Sequence, residues 1–177
     1  MANEVWGAGG VMRSWPEQRA EDELQLQWEF LGFLRATAVN KVLGLGAEQA
    51  SATPWPTSPC MSLLGVVKHL TAVERFWLSY VGGGLDVPLL WDSEDHNAEF
   101  RLSPADTPEA VVAAYQEEWV RSAEALDGLS ADDLALREVG GSERTVRWLL
   151  AHVVQETARH VGHLDVLREF ADGLVGE

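Results

Sequence analysis

Apolar residues recur at three- and four-residue steps in four long stretches of the chain, and those stretches predict four helices. Between Glu17 and Leu43, Leu24, Trp28, Leu31, Arg35 and Val39 keep helical spacing, with Leu34 and Val42 alongside. Acids gather at the start of this run and Arg35 and Lys41 fall late, which suits the helix dipole; Gly44 and Gly46 end it. Pro54, Pro56 and Pro59 forbid a helix across 47–61, so that segment reads as a connector. Ser62 can cap a second helix, SLLGVVKHLTAVERFWLSYV, which stops at Gly82, Gly83 and Gly84. Residues 85–107 are rich in Asp, Pro and Trp without periodicity and predict a long loop over one end of the fold. Thr107, Pro108 and Glu109 form a helix start, and that helix ends at Gly128. After a polar link over 129–143, the run from Arg144 to Gly173 contains no proline and one internal glycine, Gly162. It predicts one long amphipathic helix with Gly173 in the C-terminal capping position. The first sixteen residues carry Gly7, Gly9, Gly10 and Pro16 with isolated Trp6 and Trp15, and predict an irregular arm packed on the body.

Four helices without a convincing strand make the chain all-α, and the economical architecture is a four-helix bundle with one long crossover connection. At 177 residues the chain fills one domain, taken here as 1–177 with the arm over 1–16. The formal net charge of −15 disfavours nucleic acid and anionic membrane surfaces, since a phosphate-binding face needs clustered Lys and Arg. The acids are scattered over helical segments, as a solvated surface requires. Cys60 is the only cysteine, which excludes an internal disulfide and fits a reducing compartment. With no signal-like core near the start and no long apolar run, the expectation is a cytoplasmic protein.

The last predicted helix carries the candidate chemistry. At about 100° per residue, with His152 at zero, Glu156 falls near ~40°, His160 near ~80° and His163 near ~20°. Four potential ligands therefore share one narrow strip, while Leu149 and Leu167 near ~60° keep that strip apolar above and below. Ionisable groups on an apolar stripe are costly unless paired or binding something. On the second helix, His69 shares a face with Val66, Val73, Phe76, Trp77 and Tyr80. Two imidazoles with one carboxylate are an ordinary donor set for a divalent metal, and facing helices of a bundle can supply it. His152 with Glu156, or Glu156 with His160, has chelating spacing. A third ligand must come from another helix, and His69 is the candidate, since His96 lies in the loop. The competing reading makes these histidines core residues hydrogen-bonded to Glu156, Asp165 or Glu169.

The segments SLLGVVKHLTAVERFWLSYVGG and TVRWLLAHVVQETARHVGHLDVLREFADG resemble the DinB-like superfamily, and within it the DUF664 branch. The likeness runs from about Glu21 onward. It implies a four-helix bundle, often homodimeric, with a divalent metal at one end. The implied ligands are His69, Glu156 and His160, followed by the signature His160-Val161-Gly162-His163. Histidine is commoner at the position of Glu156, although a related mycothiol-dependent isomerase also uses His, Glu and His. His152 and His163 thus stand as second-sphere residues or alternative ligands. Characterised relatives are thiol-dependent transferases or isomerases, so the resemblance implies transfer of a low-molecular-weight thiol, mycothiol or bacillithiol, to a small electrophile. Zinc is the first expectation for the metal, with nickel, iron and manganese also compatible. Two other readings stay open: a hydrolase using metal-bound water, and a non-catalytic metal-binding helical dimer.

The remaining residues divide by role. Arg147, Arg159, Trp77 and Trp148 are candidates for contact with substrate or co-substrate, Trp77 and Trp148 having packing as their simpler role. Arg168 is expected to pair with Asp165 or Glu169. Glu74 is expected on the surface or a dimer face, and Cys60 is read as structural. Thr157 and Ala158 are small residues that let helices approach beside the ligands.

Overall fold

A computed structural model of the protein describes residues 10–175. Its long helices are α1 (Glu23–Val42), α3 (Leu63–Glu74), α4 (Pro108–Ala125) and α5 (Val146–Asp172), with a short α2 (Ala47–Ser51) between the first two. The described residues form no sheet; Leu134 with Thr145 and Val139 with Ser142 make isolated bridges in the last link. The all-α expectation holds, with 85–107 as the long connection.

Local chemistry accounts for the boundaries. The first helix starts at Glu23 rather than Glu17, because the Asp22 side chain accepts the Gln25 N–H and caps it there. Ser62, Thr107 and Thr145 cap α3, α4 and α5 in the same way. Gly173 closes α5 with φ of 82°, a left-handed conformation that favours glycine. The connector contains a short helix that periodicity missed, and it ends at Ser51, before the prolines. The second long helix changes winding midway: Arg75–Gly82 is π-helical. The last bond of this segment runs from Gly83 N–H to the Leu78 carbonyl, five residues back.

Two apolar clusters fill the bundle. One gathers Val39, Leu64, Leu70, Tyr115 and Leu164; the other gathers Leu31, Leu78, Val81, Leu149 and Val153. Between them runs a buried polar layer. Arg35 on α1 grips Glu74 on α3 through two bonds, Nε to Oε1 at 3.0 Å and Nη2 to Oε2 at 2.5 Å, and also donates to Ser122 Oγ on α4 at 3.0 Å. Glu74 is 0% exposed, so the expectation of a surface acid is corrected. Its sequence position gave no hint that Arg35, itself on an apolar stripe, would need an anion. Glu118 on α4 is equally buried and accepts from Ser79 Oγ at 2.6 Å, from Arg75 Nε at 2.9 Å and from Arg121. Arg168 departs from expectation too. It pairs with Asp172 and donates to the carbonyls of Lys41 and Leu43, while Asp165 takes Lys41 at 2.6 Å.

Of the N-terminal arm, residues 1–9, including Trp6, lie outside the described residues. The rest packs on α1. Val11 exchanges backbone bonds with the Asn40 side chain, and Trp15 lies 4.5 Å from Phe33.

Candidate metal centre

Helical spacing and bundle packing bring three side chains to one point. Glu156 and His160 lie one turn apart on α5, and α3 brings His69 opposite them. The Nε2 atoms of His69 and His160 face each other at 3.1 Å, and Glu156 Oε2 lies 3.6 Å from His160 Nε2. One donor atom from each of the three lies within 4.8 Å of the others. The donor set and its convergence fit a divalent cation, which takes two imidazoles and a carboxylate in many sites with an open position. His152 and His163 fall outside this group.

The ring nitrogens are prepared as lone-pair donors. Burial, with His69, His163 and Arg159 adding repulsion, pushes His160 from 6.5 down to about 3, so the imidazole is neutral at physiological pH. The sign of the stability effect follows. The unfolded chain takes up this proton near pH 6.5 and the folded chain only near 3, so unfolding binds a proton in between. Without bound metal, folding stability is expected to fall as pH drops from about 6.5 toward about 3. Denaturant midpoints with a chelator present, at pH 7 and 4.5, should differ less in His160→Gln than in the parent. An equal difference would remove this account.

The strongest support for His69 comes from a residue that sequence reasoning missed. Glu99, in the long connection, places Oε1 2.7 Å from His69 Nδ1, and Phe100 stacks on the same ring at 4.2 Å with planes 13° apart. A carboxylate accepts, so the His69 Nδ1–H donates to Glu99, and this bond fixes the ring with Nε2 turned toward His160 and Glu156. Gly65, one turn before His69, makes this approach feasible. A Cβ there would stand 2.7 Å from the Cys60 carbonyl oxygen and 2.8 Å from that of Phe100. No periodicity marks Glu99, since it sits in an aperiodic loop among other acids, Asp92, Glu94 and Asp95. Glu99→Gln is expected to weaken zinc binding by about 10–100-fold with the fold unchanged, the usual effect of removing a carboxylate behind a ligating imidazole. Competition against a chromogenic chelator measures it, and an unchanged affinity would refute the role.

The other candidates sit elsewhere. His152 stacks on Trp148 at 4.9 Å and meets Trp77 edge-on at 4.8 Å; burial pushes its pKa down, against the pull of Glu156. His163 places Nδ1 3.3 Å from His160 Nδ1, on the side of the ring away from His69. Arg147 is engaged with Glu23 at 2.8 Å and Asp132 at 2.9 Å. Arg159 is exposed, as are Ala158 and His96, whereas Thr157 is buried and donates to the Val153 carbonyl at 2.7 Å. Cys60 is a free, half-buried thiol.

His69, Glu156 and Glu99 also line a cavity of about 440 Å³. Ala72, Val73, Phe76 and Trp77 form one wall, Leu89, Leu90 and Trp91 of the connection another, and Val139 and His152 complete it. The arrangement is a polar cluster set in an apolar chamber, the usual form of a small-molecule site.

The model of the mycothiol-S-transferase family matches residues 27–173. A solved structure described as the crystal structure of the conserved protein of locus from Enterococcus faecalis superposes with a TM-score of 0.65 at 15% identity, covering 88% of this chain and 100% of that one, which speaks to the fold alone. Among curated proteins none gives a significant match. No described helix is long and apolar enough to cross a membrane.

Proposed function

The chain belongs to the mycothiol-S-transferase family, a DinB-like family, and from that premise we propose that it is a divalent-metal-dependent enzyme joining a low-molecular-weight thiol of the mycothiol type to a small electrophile. The observation that carries this reading is the convergence of His69, Glu156 and His160 beside an apolar cavity. A cation held there would stabilise an incoming thiol as its thiolate at neutral pH, since coordinated thiols are deprotonated outright. His69 and His160 offer Nε2, Glu156 offers a carboxylate oxygen, and Glu99 holds the His69 ring in place. Three protein donors leave room for the thiol sulfur. The apolar walls hold the second reactant in a dry chamber next to it. In the transfer, a carbon–sulfur bond forms as the carbon–leaving-group bond breaks. The leaving group departs with the bonding pair, and the thiol proton passes to solvent.

Zinc is the metal this donor set favours first. The reading includes a cytoplasmic homodimer; Val166 and Phe170, one turn apart on α5 and 43% and 63% exposed, offer an apolar patch for it. Light scattering would show the dimer.

The decisive experiment supplies zinc-loaded protein with mycothiol and a benzylic halide and follows the thioether by mass spectrometry. Conjugate formation well above the protein-free rate, lost in His69→Ala, is expected. Thiol-independent cleavage of esters or amides would favour metal-assisted hydrolysis. Neither activity at full metal loading would leave a binding protein.

A further inference from the structure

The cavity beside the triad has a one-sided chemistry. Its walls are apolar and aromatic, with Phe76 and Trp77 from the π-helical segment facing Leu89 and Trp91 of the connection. Its polar groups are two imidazoles, His69 and His152, and two carboxylates, Glu99 and Glu156. Neither lysine nor arginine lines it among the described residues. Arg144 is near by, with its guanidinium 5.4 Å from the Trp77 ring and 4.9 Å from the Trp148 ring, but its Nη1 is taken by the carbonyls of Val139 and Ser142. The His69 ring donates its Nδ1–H to Glu99, and His152 lies against Trp77 and Trp148.

We propose that this cavity is the subsite for the electrophile and that it selects neutral, aromatic or otherwise apolar molecules against carboxylate- or phosphate-bearing ones. The proposal rests on the thiol-transferase reading for the word electrophile, and on the lining alone for the selectivity. An anion entering the chamber would lose its water, meet no lysine or arginine in the lining, and stand beside Glu99 and Glu156. A neutral ring meets three aromatic side chains, Phe76, Trp77 and Trp91, and several aliphatic ones, and about 440 Å³ accommodates a bicyclic aromatic.

A matched pair of unreactive probes tests this: naphthalene-2-carboxamide and 2-naphthoate, alike in shape and different in charge. Calorimetric titration is run on the full chain as purified and again with a chelator, because a carboxylate could otherwise ligate a bound metal. In chelator, the carboxamide is expected to bind at least about tenfold more tightly than the naphthoate. Trp77→Ala should weaken the carboxamide severalfold. Leu89→Arg, in the loop and outside the ligand triad, should raise naphthoate affinity and close most of the gap. Circular dichroism of each variant keeps loss of fold apart from loss of binding. Equal or tighter binding of the naphthoate in chelator, absence of binding by either probe, or indifference of both affinities to both variants would overturn the proposal. A carboxamide preference without any thiol-dependent turnover would uphold the cavity and refute the transferase.

Discussion

His160→Ala is expected to bind zinc two to three orders of magnitude more weakly than the parent chain and to lose thiol transfer with it. Four-ligand zinc sites hold their ion by about 10–16 kcal/mol, or roughly 2.5–4 kcal/mol for each ligand, and about 1.4 kcal/mol is a factor of ten. His160 stands between the other two members: its Nε2 is 3.1 Å from His69 Nε2 and 3.6 Å from Glu156 Oε2. Its removal leaves two donors on different helices, too few to hold a cation against water. The fold should survive, because His160 makes no bond on which the helices depend, and metal-free His160→Ala should resist acid better than metal-free parent for the reason given by its depressed pKa. Metal content after dialysis, with His163→Ala as the comparison, settles the matter. His163 lies 3.3 Å from the far nitrogen of His160, so its loss should cost the metal far less. Retention of one zinc per chain by His160→Ala, or equal loss from both variants, would show that the triad is not the centre.

This comparison also marks how far the chain alone could be read. That His69 could face the polar strip of α5 was legible because both lie on strongly periodic helices, where an ionisable group on an apolar face is conspicuous; the choice of Glu156 and His160 within the strip came from the family resemblance. The angular strip on α5 was less discriminating. His152 and His163 fall on it as squarely as the triad does, yet one is taken up by Trp77 and Trp148 and the other stands behind the His160 ring. A helical wheel gives azimuth and not height, so it does not separate the residues that converge with His69 from their neighbours on the strip. Glu99 was illegible because loops carry no period from which its position could be computed. The π-helical turns of Arg75–Gly82 were equally hidden, since bonding to the fifth residue instead of the fourth leaves the apolar pattern of a short segment almost unchanged. Those turns carry Phe76 and Trp77, so the shape of the cavity had to come from the folded chain.

The second large effect is on stability, at Glu74→Ala. Arg35 is 6% exposed and would keep only Ser122 Oγ and the ring faces of Trp28 and Trp119, 5.4 and 5.7 Å away, around an uncompensated charge. Breaking one side of a buried ion pair costs about 3–5 kcal/mol, which for a chain of this size lowers Tm by roughly 6–20 °C. The double variant Arg35→Met with Glu74→Leu removes both charges and fills their volume, and should regain most of the loss, because apolar replacement of a whole buried pair is often neutral or stabilising. Thermal and denaturant unfolding of the three chains tests the pair as a unit. A loss below about 1 kcal/mol in Glu74→Ala, or a double variant no better than Glu74→Ala, would mean that the layer is not electrostatically coupled as described. The pair also bears on the site. Glu74 is the last residue of α3, five positions beyond His69 and immediately before the π-helical turns that wall the cavity, and through Arg35 and Ser122 it ties α1, α3 and α4 together there. An apolar substitute restores cohesion but not the direction that a two-pronged guanidinium–carboxylate bond imposes. The double variant should therefore keep its metal affinity, set by the triad, while binding naphthalene-2-carboxamide more weakly than the parent, because the walls formed by Phe76 and Trp77 lose their fixed register.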